Sequence, residues 1–258
     1  MKLRFTKTLL TPPAPEPGNA ISFPPRITAI AWAPNNARLA VVSTDRVVSL
    51  FDETGEKRDK FSTKSGDKAT RAYIVTALAF SPDSSRLLVA QSDNICFVYK
   101  LGLDWSDKKS ICNKFSSPAA VTCATWPSQS PNDAFFGCSD GRVRAGSLRT
   151  NKAIVVYAHG ATGEPGTPSA TGYVVSICAG PDGRTMLAGH IDGTIYRFSL
   201  SESGEGSQVF SKLLVHSCAP YGLGWGAQLL ACGPDGRVCF YDDADGTLQR
   251  TFDYVISV

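Results

Sequence analysis

Cysteine and histidine are the residues here with the most chemistry to offer. The chain of 258 residues has eight cysteines, Cys96, Cys112, Cys123, Cys138, Cys178, Cys218, Cys232 and Cys239, and three histidines, His159, His190 and His216. No two cysteines form a CxxC pair, and no spacing matches a zinc ribbon or finger. No histidine has a partner at HxH or HExxH spacing. Most of the cysteines stand in apolar runs such as Val121-Thr122-Cys123-Ala124 and Leu230-Ala231-Cys232. A free thiol there acts as a small buried hydrophobe. Reduced core thiols are therefore expected, as in a reducing compartment. There is no GxSxG elbow and no Walker-type glycine loop. Gly204-Glu205-Gly206 lies in a polar strand connection and does not read as a phosphate cradle. The residues thus predict no catalytic side chain, no metal site and no cofactor site.

Charge offers a second kind of chemistry. Lys57, Arg58, Lys60 and Lys64 stand among Glu53, Glu56 and Asp59. Charges on an outer strand defend an open sheet edge against pairing with other chains. The same strip could dock an acidic partner, and the two roles are compatible. Over the whole chain the balance is even, with 26 basic and 23 acidic residues and a net charge of +3. The clustered basic face of a nucleic-acid binder is not predicted.

These residues sit in a chain of short apolar runs separated by turn residues, with almost no helical periodicity. That pattern predicts an all-β fold. With 43% hydrophobic and 19% charged residues, the composition suits a globular domain with a real core. No stretch approaches the roughly 20 apolar residues of a membrane helix. Met1 to Leu10 lacks the apolar core of a signal peptide, so a cytosolic setting is expected.

The runs repeat in groups of four. An aspartate in the turn between second and third runs recurs as Asp45, Asp93, Asp140, Asp192 and Asp235, at intervals of 43 to 52 residues. Six residues after each stands Phe51, Tyr99, Gly146, Phe198 or Tyr241, an aromatic in all but one. Trp32, Phe80, Trp126 and Trp225 close the first runs and are expected to fill the seams between units as core. An aspartate side chain can accept a hydrogen bond two residues on and close a tight turn, so these residues are read as structural. Four strands per unit at this period predict a WD40-type β-propeller. Five blades are expected, at about residues 27–63, 74–115, 121–157, 173–215 and 221–254. Residues 3–10 read as a lone closing strand, 11–18 as a proline-stiffened connector, and 159–172 as a rim loop. Residues 255–258 look like the opening of another first strand. On this reading residues 1–258 are an incomplete N-terminal propeller, part of a seven-bladed ring. The open chain is then expected to be poorly soluble alone.

Several segments go beyond a generic repeat: 32–36 (WAPNN), 43–48 (STDRVV), 51–64 (FDETGEKRDKFSTK), 79–84 (AFSPDS), 91–95 (QSDNI), 104–109 (DWSDKK), 111–115 (ICNKF) and 189–195 (GHIDGTI). In order and over nearly the whole chain, they resemble the start of the intraflagellar transport protein 172 family. The resemblance implies a WD-repeat propeller that is followed, in the family, by more blades and a long helical-repeat tail. It implies a non-enzymatic scaffold subunit of intraflagellar transport complex B with no required cofactor. It also implies a cilium or flagellum location, with cytoplasm and ciliary base, and partners among the other complex B subunits in cilium assembly and maintenance. No small-molecule substrate, nucleic acid or transmembrane segment is implied. The residues leave two other readings open. One is a propeller adaptor in another assembly, such as a vesicle coat or ubiquitin ligase. The other is a propeller hydrolase, against which the recurrence of turn aspartates and core aromatics speaks.

Overall fold

The computed structural model describes residues 25–66, 72–158, 172–200 and 210–253. Within them, twenty strands form five four-stranded antiparallel blades. Blade one holds β1 (Ile27–Trp32), β2 (Leu39–Ser43), β3 (Val47–Phe51) and β4 (Lys57–Ser62). Blade two holds β5 (Val75–Phe80), β6 (Arg86–Gln91), β7 (Ile95–Lys100) and β8 (Ser110–Ser116). Blade three holds β9 (Val121–Thr125), β10 (Asp133–Cys138), β11 (Val143–Ser147) and β12 (Lys152–Tyr157). Blade four holds β13 (Val174–Ala179), β14 (Thr185–His190), β15 (Thr194–Ser199) and β16 (Phe210–Val215). Blade five holds β17 (Gly222–Trp225), β18 (Leu229–Cys232), β19 (Arg237–Tyr241) and β20 (Leu248–Asp253). In every blade the strands pair in chain order.

Burial explains the composition of each position. In the inner blades the second strands are nearly continuous apolar runs because a blade lies against each face, whereas β18 of blade five alternates between buried and half-buried. In β6, Leu87 to Gln91 are all buried. Outer strands alternate instead, as β8 does from Ser110 to Ser116, since one face meets solvent. The first strands line a central cavity of about 390 Å³, to which every blade contributes three consecutive residues, among them Ala29, Ala77, Cys123, Ser176 and Leu223. No helix among the described residues is long and apolar enough to cross a membrane.

Apolar clusters straddle the seams. Phe80 of blade two packs with Ala40, Val42 and Leu50 of blade one. Trp126 of blade three packs with Ala79, Leu88 and Val98 of blade two. Trp225 of blade five joins Leu187 and Ile195 of blade four. In blades two, three and five the ring at the end of the first strand therefore packs with the blade before it. Hydroxyls reinforce the pattern. The first strands of blades one to four share a bulge near their start. Beside it, Thr76 donates to the Val121 carbonyl at 2.8 Å, Thr122 to that of Val174, and Ser176 to that of Pro220. Each bond runs to the next blade.

The residue after each recurring aspartate is left-handed: Arg46, Asn94, Gly141, Gly193 and Gly236, with φ from 64° to 91°. Asp45, Asp140, Asp192 and Asp235 accept the backbone N–H two residues on, at 2.9–3.2 Å. The aromatic six residues later is buried in four blades. At Gly146 the ring is replaced from outside. Phe115 of blade two lies so close that a β-carbon there would come within 2.7 Å of it.

Three expectations need correction. Trp32 is 53% exposed, whereas Trp126 is 7% exposed. The packing rule supplies the reason, because no blade precedes β1 among the described residues. Asp93 does not close its own turn; its Oδ2 accepts from Gly66 N at 3.0 Å, across the seam to blade one. Left-handed Asn94 shapes that turn. Cys112 is exposed on the solvent face of β8, unlike buried Cys96, Cys138 and Cys239. The expected strand at 3–10, the connector at 11–18, most of the 159–172 loop with His159, residues 204–206 and the strand start at 255–258 lie outside the described residues.

Candidate protein-docking surface

The basic strip begins on β4, the outermost strand of blade one, which among the described residues pairs with β3 alone. Lys57, Arg58 and Lys60 are exposed on this strand, and exposed Lys64 lies two residues beyond its end, where its backbone bonds to Tyr99 and Gln91 of blade two. Phe61 points the other way, with its ring 4.8 Å from that of Tyr99, and ties the strand to the core. A register shift opposite Leu50 and Phe51 makes a bulge at Arg58. Bulges and charges both discourage edge-to-edge pairing, which supports the protective role. Arg58 lies 3.8 Å from Asp52, and Asp59 is paired with Lys109 of blade two. Lys57, Lys60 and Lys64 have no such carboxylate partner among the described residues.

The pairing to Lys109 leads to a neighbouring feature that periodicity did not single out. The 101–109 loop of blade two is braced against blade one. Arg38, itself buried, stacks 4.7 Å from the Trp105 ring centre and donates to the carbonyls of Gly102 and Leu103 at 3.1 and 2.6 Å. Asp107 Oδ2 accepts from the backbone N–H of Leu103 and Asp104 at 2.9 and 3.0 Å. Lys109 donates to the Trp105 and Asp107 carbonyls. This lattice holds Leu103 with 89% of its surface exposed. A rigidly displayed apolar side chain beside basic residues loses little entropy on binding. The available signal was the mixture of Trp, Asp and Lys in 104–109 within an otherwise polar loop.

His190 and His216 are buried, as are three of the cysteines, Cys96, Cys138 and Cys239. His190 Nε2 meets Tyr157 Oη at 2.8 Å, linking blades three and four. His216 Nδ1 meets Tyr241 Oη at 2.7 Å. Burial holds the His216 pKa below the ordinary histidine value. Burial also pushes the Cys123 thiol up to about 12 and raises Cys96, so neither is poised as a nucleophile. Spacing arguments also missed a buried ion cluster in blade three. Arg144 grips both carboxylate oxygens of Asp140, at 3.1 and 2.6 Å, and Arg142 lies at 3.2 Å. The alternating Asp-x-Arg-x-Arg pattern was its only trace.

Comparison with known proteins agrees with this architecture. The family described as WD domain, G-beta repeat matches residues 20–52 and 63–100. Intraflagellar transport protein 172 of Chlamydomonas reinhardtii is 47% identical over 258 residues, covering 98% of this chain and 14% of that protein. Its homologue in Danio rerio is 45% identical over 257 residues, and that of Homo sapiens 42%, each covering 98% of this chain and 13% of the relative. The chain thus spans about a seventh of the length of these relatives. With its WD repeats and its five propeller blades, the chain is similar along nearly all its length to a part of intraflagellar transport protein 172.

Proposed function

We propose that the chain is a non-enzymatic scaffold of intraflagellar transport complex B. On this reading it binds other complex subunits during cilium assembly and maintenance, in the cilium or flagellum, at the ciliary base and in the cytoplasm. The observation that carries the proposal is 42–47% identity, over 98% of the chain, to proteins named for intraflagellar transport. A propeller suits the role. Its blades form a rigid platform whose rims and outer strands present many separate surfaces.

The docking edge proposed for this role joins Lys57, Arg58 and Lys60 of β4 with Leu103. It fits an acidic segment carrying an apolar side chain. Exposed charges steer such encounters and are screened by salt. The test is a pull-down of complex B subunits from ciliated cells with the tagged chain. Recovery of those subunits is expected. Reversing Lys57, Arg58, Lys60 and Lys64 together should weaken recovery, more at low salt than at high. If the unaltered chain recovers no complex B subunit, the scaffold reading fails. If it recovers them and the reversal has no effect at either salt concentration, β4 is a protected edge only.

A further inference from the structure

The connection from β16 to β17 and the turn from β18 to β19 meet at one end of the propeller. Between them they gather three kinds of metal-binding group. A ring nitrogen of His216, the thiol of Cys218 and a carboxylate oxygen of Asp235 all lie within 4.8 Å of one another. His216 is 2% exposed. Its Nδ1 is engaged by Tyr241 Oη at 2.7 Å, while its Nε2 is buried with no hydrogen-bond partner. Buried polar atoms are rarely left in that state, because each costs about 1–3 kcal/mol.

We propose that His216 Nε2, Cys218 Sγ and the Asp235 carboxylate bind a divalent transition-metal ion of the zinc class, joining blades four and five. Imidazole, thiolate and carboxylate together form a borderline ligand set. Calcium and magnesium prefer oxygen alone, and copper(I) prefers sulfur. Bond lengths of about 2.0–2.3 Å put the ligands of a tetrahedral zinc about 3.3–3.8 Å apart. Cys218 and Asp235 are only half-buried, so small side-chain rotations close the remaining gap. Solvent reaches the site from their side, and water takes the fourth position. Nδ1–H then donates to Tyr241 Oη and fixes the ring, as an outer partner of a ligating histidine does.

The surroundings accommodate these roles. Asp235 Oδ2 accepts from Ser217 Oγ at 2.6 Å and Oδ1 from Arg237 N at 3.2 Å. Each oxygen retains a lone pair for an ion. A β-carbon at Gly233 would come within 2.5 Å of Cys218 Sγ, so glycine leaves the thiol its place. The sequence motif is His216-Ser217-Cys218 with a distant aspartate, a pattern that searches for paired cysteines or histidines pass over.

The test is a cobalt(II) titration of the reduced chain, followed by zinc. Thiolate-to-cobalt charge-transfer absorption is expected, discharged by one equivalent of zinc, together with a zinc-dependent rise in melting midpoint. Cys218→Ser should abolish the absorption and weaken zinc binding at least about tenfold. Asp235→Asn should weaken binding while keeping the absorption. Cys112→Ser, which removes an exposed thiol outside the cluster, should change neither. Circular dichroism checks that each variant is folded. Cys218 is only half-buried, so its serine variant keeps the test open even where Asp235→Asn loosens the turn. Absence of the absorption and of the zinc-dependent rise in the unaltered chain would overturn the proposal. So would absorption that survives Cys218→Ser.

Discussion

Trp126 and Trp32 hold the same place in two blades, at the end of the first strand, and meet opposite environments. Trp126 is enclosed by blade two and its indole donates to the Ser130 carbonyl at 3.1 Å. Trp32 stands on an outward face with Ile27 and Ile30, all more than half exposed. The difference teaches that a repeat position specifies which surface a residue offers, and that the neighbouring blade decides whether the surface is covered. A solenoid-like architecture makes this rule general, since each unit buries its apolar face only against the next.

The comparison can be broken most sharply at the rings themselves. Trp126→Ala should cost about 3–5 kcal/mol, as large core truncations do. Trp32→Ala should stay within about 0.5 kcal/mol, the range of ordinary surface changes. Denaturant midpoints of the two variants measure both, and equal losses would show that β1 is covered in solution.

Next come the hydroxyls beside the bulges. Thr76 reaches across to blade three, whereas Thr28 turns back to its own blade and meets the Val42 carbonyl at 3.5 Å. Thr76→Val should cost about 1 kcal/mol, near the net worth of one hydrogen bond, and Thr28→Val much less. Amide exchange at the start of β9 should quicken in the first variant only.

A smaller contrast separates two turn aspartates. Asp192 closes its own turn through Thr194, so Asp192→Ala should lose about 0.5–1.5 kcal/mol. Asp93→Ala gives up the bond from Gly66 but also removes Oδ1, a buried oxygen without a partner. Its thermal midpoint should fall less than that of Asp192→Ala.

The smallest effect sets blade four against blade one. Asp182 caps the turn before β14, and the Thr185 hydroxyl holds its carboxyl below the ordinary value of 3.8. A carboxylate with a lowered folded pKa stabilises above its unfolded value, and that contribution is lost as pH falls through the folded value. Asn35 in the matching turn of blade one accepts from Ala37 N at 3.0 Å and does not titrate. Thr185→Val should therefore flatten the fall in stability below about pH 4, while substitutions at Asn35 leave that limb unchanged. Acid unfolding followed by fluorescence reports the slope.

Much of the architecture was legible in the chain because a propeller repeats its local rules. Turn aspartates, positive-φ glycines and alternating outer strands each depend on residues close in sequence, and twenty strands in five blades follow from their period. The basic edge was legible for the same reason, since Lys57, Arg58 and Lys60 share one strand. Seam contacts were not. Phe115 filling the space at Gly146, Asp93 reaching to Gly66, and Leu103 held out by Arg38 all join residues of different blades. So do His216 and Asp235, which share no strand and no short motif. Local sequence determined what each blade is, through backbone preferences and side-chain alternation. Tertiary structure alone decided which exposed faces meet, because that depends on how one blade stacks on the next.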